Sequence, residues 1–124
     1  MQTYLIEPQT VFVPYLQRVL AAAGLSVIAI HHDVDLKDLA ARAPSAVFID
    51  VDYFERGGPT ALCRIRETLR NATVIALSES TDPTFAATCV ISGANVVCHK
   101  KDGEESFVRS IRLAMARIAG LSLV

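Results

Sequence analysis

The sequence predicts an α/β domain with a doubly wound, five-stranded parallel sheet. Five short runs rich in β-branched residues alternate with five longer segments of helical period, which is typical of parallel strands joined by crossover helices. The third run, residues 46–49, is entirely apolar, as expected for a strand that helices cover on both faces. The 124 residues suffice for one domain with its own core. We therefore predict a single domain over residues 1–124.

Local signals set the limits of the predicted elements. Gly24 ends the first helix, and Asp82-Pro83 starts the fourth with a capping carboxylate followed by a first-turn proline. The predicted strands span residues 3–6, 25–30, 46–49, 73–77 and 95–98. The first, second, fourth and fifth predicted helices span residues 11–23, 33–43, 82–92 and 104–119. The third predicted helix follows a loop at residues 50–59 and carries Leu62, Ile65 and Leu69. Core-facing residues are expected at Phe12, Leu16, Val19, Leu20 and Ala23 in the first helix and at Leu36, Leu39 and Ala40 in the second.

Composition narrows the classes of function. With 52% hydrophobic and 20% charged residues, the chain is typical of a globular protein rather than a disordered one. The formal net charge of −1 provides no basic footprint for nucleic acid or an anionic membrane. No apolar stretch approaches the roughly 18 to 20 residues that span a bilayer, and the N-terminus lacks the features of a signal peptide. We expect a cytoplasmic protein with no direct nucleic-acid or membrane contact.

The cysteines and the adjacent histidines form no recognisable metal or disulfide pattern. Cys63, Cys89 and Cys98 are odd in number and are never spaced C-x-x-C, so we predict that they pack in the core. His31 and His32 are neighbours, and neighbouring side chains of an extended chain point to opposite sides. We predict edge or loop positions for both histidines.

Polar residues follow four of the five predicted strands. Because ligands of such sheets bind beyond the carboxyl ends of the strands, these side chains are expected to meet at one edge. Carboxylates, a hydroxyl and an ammonium group suit a phosphoryl group and a divalent cation. Most of these residues, taken singly, are more simply helix caps or solvated charges. Asp50 is the exception, because it directly follows an entirely apolar strand in the middle of the sheet. Their joint placement is stronger evidence for a site than any single residue. The residues are Glu7, Asp50, Asp52, Ser78, Glu79, His99 and Lys100.

Four segments together resemble a known family. Residues 44–50 form an apolar strand that ends in an aspartate, Gly58 follows the next loop, residues 74–78 form a strand that ends in a serine, and residues 93–100 lead from Gly-Ala to a lysine. In this order and spacing, the chain resembles the receiver domain of bacterial response regulators. That CheY-like family has a flavodoxin-like (βα)5 fold, and the resemblance covers essentially the whole chain.

The resemblance implies a role for each residue of the site. Asp50 would accept a phosphoryl group, and Ser78 and Lys100 would contact that group. Mg²⁺ would be held by Glu7, Asp50 and the main-chain carbonyl of Asp52. A histidine kinase or a phosphotransfer protein would donate the phosphoryl group, and the domain would act as a signalling switch rather than as an enzyme.

Four positions depart from the family pattern. Pro8 replaces the second acid after the first strand, and Glu79 replaces a small residue after the switch hydroxyl. Val97 replaces an aromatic residue of the switch, and Lys101 replaces a proline, so a trans peptide is expected there. We expect weakened Mg²⁺-dependent phosphorylation, with the Asp52 side chain as a conceivable substitute for the missing acid.

Two other functions compete with this interpretation. The first is a pseudo-receiver that is never phosphorylated and acts as an interaction or homodimerisation domain through the last helices, with Asp50 as a relic or as a structural partner of Lys100. The second is a flavodoxin-like enzyme or nucleotide binder. It is disfavoured because residues 7–10, Glu-Pro-Gln-Thr, form no glycine-rich phosphate loop after the first strand.

Overall fold

Strands and helices alternate through the computed structural model, which describes residues 1–54, 56–100 and 103–122. The strands are β1 (Gln2–Ile6), β2 (Ser26–His31), β3 (Ala46–Asp50), β4 (Thr73–Ser78) and β5 (Val96–His99). The helices are α1 (Val13–Ala22), which follows a 3₁₀ turn at Thr10–Phe12, α2 (Leu36–Arg42), α3 (Gly58–Thr68), α4 (Pro83–Ile91) and α5 (Glu104–Ser122). Each boundary lies within a few residues of the predicted one. The predicted order of elements is confirmed.

One parallel sheet runs through the domain in the order β2–β1–β3–β4–β5. Apolar side chains alternate between its two faces, and each face is covered by helices. One cluster joins Tyr4, Ile6, Val47, Ile49, Val74 and Ala76 to α2, α3 and α4. The other joins Leu5, Phe48, Ile75 and Leu77 to α1 and α5. The sheet is therefore doubly wound, as predicted.

The centre of the sheet is the most deeply buried part. All five residues of β3 are buried, and Phe48 and Ile49 are 0% exposed. Burial of a side chain of this size contributes about 1.5 to 3 kcal/mol to stability. The strand is thus held firmly on both faces, and Asp50 at its end is carried to a defined place at the sheet edge.

Three predicted core residues are exposed, and these predictions are wrong. Phe12 is 37% exposed because it lies in the 3₁₀ turn before α1 rather than on the helix face. Ala40 lies on the solvent side of α2. Cys63 is exposed because the buried stripe of α3 consists of residues 58, 61, 62 and 65, whereas Cys89 and Cys98 are buried as predicted.

Local capping explains where α2 and α4 begin. The Asp35 carboxylate accepts a hydrogen bond from the Asp38 amide, which starts α2 later than predicted. Asp82 accepts from the Thr84 amide and caps α4, as the Asp-Pro sequence predicted. None of the helices in the described part of the chain combines the length and apolar character that a bilayer crossing requires.

Gly58 allows α3 to begin directly against the end of β3. A Cβ atom at Gly58 would lie 2.4 Å from the Cβ of Val51 and 2.5 Å from its carbonyl oxygen. Val51 is only 2% exposed and lies between the two acids of the third strand end. The absence of a side chain at Gly58 therefore lets α3 press on the segment that carries both Asp50 and Asp52.

Replacement of Gly58 by alanine is expected to lower the free energy of unfolding by about 1 to 3 kcal/mol, the usual cost of overpacking. Gly120→Ala is the matched control, because a Cβ at that position in α5 meets nothing within 4 Å. Alanine there is expected to stabilise the helix by up to about 1 kcal/mol. Urea denaturation of both variants measures the difference, and equal stabilities would contradict the close contact.

Candidate functional site

The carboxyl ends of four strands bring the predicted site residues together. Glu7 follows β1, Asp50 ends β3, Ser78 ends β4, and Lys100 follows β5. Glu7, Asp50 and Ser78 are all completely buried, which is uncommon for two acids and a hydroxyl. Polar groups at such depth require partners. Their partners are one another and the loops that follow the strands.

Asp50 is ion-paired with Lys100. The Lys100 ammonium Nζ lies 2.7 Å from Asp50 Oδ2, and the Lys100 side chain is only 10% exposed. Burial would lower the pKa of Lys100, but hydrogen bonds and charge attraction from Asp50 and Asp52 outweigh it and raise the pKa above its ordinary value. The other Asp50 oxygen, Oδ1, accepts from the Asp52 amide at 3.1 Å. Both oxygens of the predicted phosphoacceptor are therefore engaged.

Asp52 directs its side chain toward β4 and β5. Its Oδ1 accepts from the Ser78 hydroxyl at 2.6 Å, and its Oδ2 accepts from the Glu79 amide at 2.8 Å and from Lys100 Nζ at 3.0 Å. The Ser80 amide donates to Ser78 Oγ, which leaves the hydroxyl proton for Asp52. Burial would raise the pKa of Asp52, but these three donors lower it below its usual range.

Glu7 is buried without a full set of partners. Its Oε2 accepts from the Gln9 amide at 2.9 Å, whereas Oε1 has no hydrogen-bond partner within the described residues. Burial, together with the neighbouring Asp50 carboxylate, raises the pKa of Glu7 to about 8. Two ionised carboxylates offer only acceptors, so Oε1 is satisfied by a proton shared with Asp50 or by a cation.

The site offers Mg²⁺ few oxygen ligands. The unpartnered Glu7 Oε1 beside Asp50 fits a cation that prefers oxygen ligands. Pro8 contributes no oxygen ligand from its side chain, and the Asp52 carboxylate is directed at Ser78 and Lys100. Among the described residues, no group of three or more acids, histidines or cysteines is arranged to hold a metal. The metal set of Glu7, Asp50 and Asp52 stays a prediction.

Aromatic residues that the sequence did not mark line the entrance to the site. The Tyr53 ring lies 5.3 Å from Lys100 Nζ, a cation–π distance, and stacks on Phe12 at 6.4 Å between ring centroids. Only the position of Tyr53 next to Asp52 hinted at this. A cavity of about 250 Å³ lies here, lined by Glu7, Phe12, Tyr15, Leu16, Asp50, Glu79 and Lys100.

His99 supports the loop that follows β4. Its ring Nε2 lies 3.0 Å from the Glu79 carbonyl oxygen and donates to it. The Lys100 amide also donates to the Ser78 carbonyl at 3.0 Å. The bond to the Ser78 carbonyl orients the peptide that carries the Glu79 amide, which donates to Asp52. The His99 bond orients the next peptide, whose Ser80 amide donates to Ser78 Oγ, a role that the sequence did not predict.

The remaining sequence predictions have mixed outcomes. His31 ends β2, stacks on Tyr4 at 5.1 Å and lies 2.8 Å from Asp38, so it occupies an edge position as predicted. Val97 is half-buried against the core cluster on the side of α4. The expectation of a trans peptide at Lys101 lies outside the described residues.

The buried Glu7 makes stability depend on pH. Between about pH 4.5 and pH 8, the folded protein holds a proton at Glu7 that the unfolded chain releases. The free energy of unfolding is therefore expected to fall as the pH rises through this window, by up to about 1.4 kcal/mol per pH unit. Glu7→Gln keeps the shape of the protonated side chain and is expected to flatten the curve.

Thermal unfolding across the same window measures this effect. Glu67→Gln is the matched control, because Glu67 is exposed on α3. The control is expected to keep the slope of the parent protein. Identical slopes in the parent protein and in both variants would show that Glu7 does not hold the proton.

Solved structures with the same architecture are response regulator receiver domains. The receiver domain of the putative response regulator NarL from Mycobacterium tuberculosis has a TM-score of 0.76 at 17% identity, covering 92% of this chain and 95% of that chain. A chain of the CheX–CheY–BeF3–Mg²⁺ complex from Borrelia burgdorferi has a TM-score of 0.75 at 18% sequence identity, and the match covers 93% of this chain and 89% of that chain. A response regulator receiver domain protein from Clostridium thermocellum has a TM-score of 0.75 at 18% sequence identity, and the match covers 97% of this chain and 98% of that chain. The sequence matches no family model and no curated protein.

Because the sequence identities are only 17–18%, these similarities show the fold and not the function. The sheet order β2–β1–β3–β4–β5 and the alternation with five helices confirm the predicted flavodoxin-like, CheY-like (βα)5 architecture. The matches extend over nearly the whole of each chain. The chain therefore has the fold of the response regulator receiver domains.

Proposed function

We propose that this domain is a receiver module of two-component signal transduction, centred on Asp50 as phosphoacceptor, with weakened Mg²⁺-dependent phosphorylation. The observation that carries the proposal is the buried ion pair of 2.7 Å between Asp50 and Lys100 at the carboxyl edge of the sheet, with Ser78 at the end of the next strand. In this proposal the partner is a histidine kinase or a phosphotransfer protein. The domain is a switch and not an enzyme, and it has no nucleic-acid contact of its own.

The chemistry assigned to the site is transfer of a phosphoryl group to a carboxylate. An Asp50 oxygen attacks the phosphorus and forms an acyl phosphate bond, while the bond from phosphorus to the donor breaks and its electron pair leaves with the donor. Lys100 stays charged because its pKa is raised, so it pairs with the phosphoryl oxygens. The Ser78 hydroxyl donates to another of them. Bound Mg²⁺ would neutralise phosphoryl charge.

Three features argue that this reaction is slow. Pro8 leaves Glu7 as the only acid directly after β1, and Glu7 holds a proton at neutral pH that a cation must displace. The Glu79 side chain lines the cavity in front of Asp50 and repels an incoming phosphate. Asp52 already occupies the donors on Ser78 and Lys100.

Phosphorylation is tested by intact mass after incubation with acetyl phosphate and Mg²⁺. The parent protein is expected to gain the mass of one phosphoryl group slowly, and Asp50→Asn is expected to gain none. An unchanged mass of the parent protein at saturating donor would contradict the proposed function.

Pro8→Asp tests whether the metal site is the weak part. A second acid beside Glu7 adds an oxygen ligand, so the phosphorylation rate at fixed Mg²⁺ is expected to rise roughly tenfold or more. Thr10→Asp is the matched control, because it adds the same charge two residues further along the chain, at an exposed position in the 3₁₀ turn. An equal gain in both variants would attribute the effect to charge alone.

A second candidate function is an interaction or homodimerisation domain that is never phosphorylated. It is favoured by large apolar side chains exposed on the last two helices: Val90 and Ile91 on α4 are 48% and 86% exposed, and Leu113 on α5 is 54% exposed. Sedimentation of the unphosphorylated protein separates the two candidates. A dimer that Ile91→Glu dissociates, together with no phosphorylation, would favour this one.

A further inference from the structure

The Asp52 carboxylate occupies the groups that a phosphoryl group would need. We propose that Asp52 is a built-in substitute for the phosphoryl group, which keeps the donors of Ser78, Glu79 and Lys100 engaged in the unmodified protein. The inference rests on the proposed function, because it takes these donors as the phosphoryl-contacting groups. It goes further in assigning how the site is regulated.

The geometry of the contacts carries the inference. Two carboxylate oxygens receive three donors of different kinds: a hydroxyl at 2.6 Å, a backbone amide at 2.8 Å and an ammonium at 3.0 Å. These come from β4, from the β4–α4 loop and from the end of β5. A phosphoryl group on Asp50 is also an anion with several acceptor oxygens, so it would compete for the same three donors.

The surroundings fix this arrangement on both sides. The Ser80 amide donates to Ser78 Oγ and turns the hydroxyl proton toward Asp52. On the other side, the Lys100 amide donates to the Ser78 carbonyl and holds the peptide that presents the Glu79 amide. The Asp52 side chain is only 17% exposed, so water competes weakly for these donors.

Two consequences follow for the switch. The Asp52 carboxylate already binds the Glu79 amide of the β4–α4 loop. The loop therefore adopts its anion-bound conformation before any phosphorylation. A phosphoryl group entering at Asp50 must displace the Asp52 carboxylate from Ser78 and Lys100. Asp52 thus favours one conformation of the β4–α4 loop, and it competes with the phosphoryl group for the donors on Ser78 and Lys100.

Amide hydrogen exchange of the whole domain tests the first consequence without any phosphodonor. The Glu79 amide is expected to exchange at least about tenfold faster in Asp52→Ala, because its charge-assisted hydrogen bond is lost. Asp52→Asn keeps the shape and is expected to give a smaller increase, which guards against a folding defect in the alanine variant. Glu67→Ala, which removes an exposed acid on α3, is expected to leave the Glu79 amide unchanged.

Titration with beryllofluoride and Mg²⁺ tests the second consequence. Asp52→Ala is expected to bind this phosphoryl mimic at least about tenfold more tightly than the parent protein, since the donors are vacated. Unchanged protection of the Glu79 amide in Asp52→Ala would overturn the proposal. Measurable binding that is no tighter than in the parent protein would overturn it as well.

Failure of the proposed function has a different signature. In that case neither the parent protein nor Asp52→Ala would bind beryllofluoride or take up a phosphoryl group. Loss of Glu79 protection in Asp52→Ala would still support Asp52 as the internal anion of these donors. The exchange measurement therefore tests this inference even where no phosphoryl group is taken up, and the phosphorylation measurement tests the proposed function.

Discussion

The Lys100 ammonium lies between two carboxylates, 2.7 Å from Asp50 and 3.0 Å from Asp52, and the arrangement of the whole site depends on it. Two acids this close repel each other strongly where water is scarce. Removal of one member of such a buried group leaves a charge without compensation, which costs about 3 to 5 kcal/mol. Because Asp50 belongs to β3 and Lys100 follows β5, this ion pair also ties the central strand to the edge strand across β4.

The charge balance of the site depends on the single acid that follows β1. Burial and Asp50 raise the pKa of Glu7 to about 8, which favours the neutral form of its carboxyl group near neutral pH. Two carboxylates then face one ammonium, and the hydroxyl and amide donors around Asp52 stabilise the remaining negative charge. Pro8 adds no further charge. The donors that stabilise the unmodified site are occupied by Asp52, so the site has a lower affinity for a phosphoryl group.

The donors around Asp52 extend the ion pair into the β4–α4 loop. Ser78 and Glu79 bind the carboxylate, and His99 holds Glu79 from the side of β5. The Tyr53 ring lies over the Lys100 ammonium and stacks on Phe12. The segments that follow four strands therefore meet on one small cluster of charges, which is a suitable place to couple a change of charge to a change of surface.

The sequence by itself determined the alternation of strands and helices and the strand ends at which Glu7, Asp50, Ser78 and Lys100 stand. It could do so because hydrophobic periodicity reports burial, and because parallel strands bring their carboxyl ends to one edge. Only the tertiary structure decided the direction of the Asp52 side chain, the stacking of Tyr53 on Phe12, and the exposure of Cys63. Asp52 lies in a loop without periodicity, and its donors come from residues 26 or more positions away, so no local pattern encodes where it points.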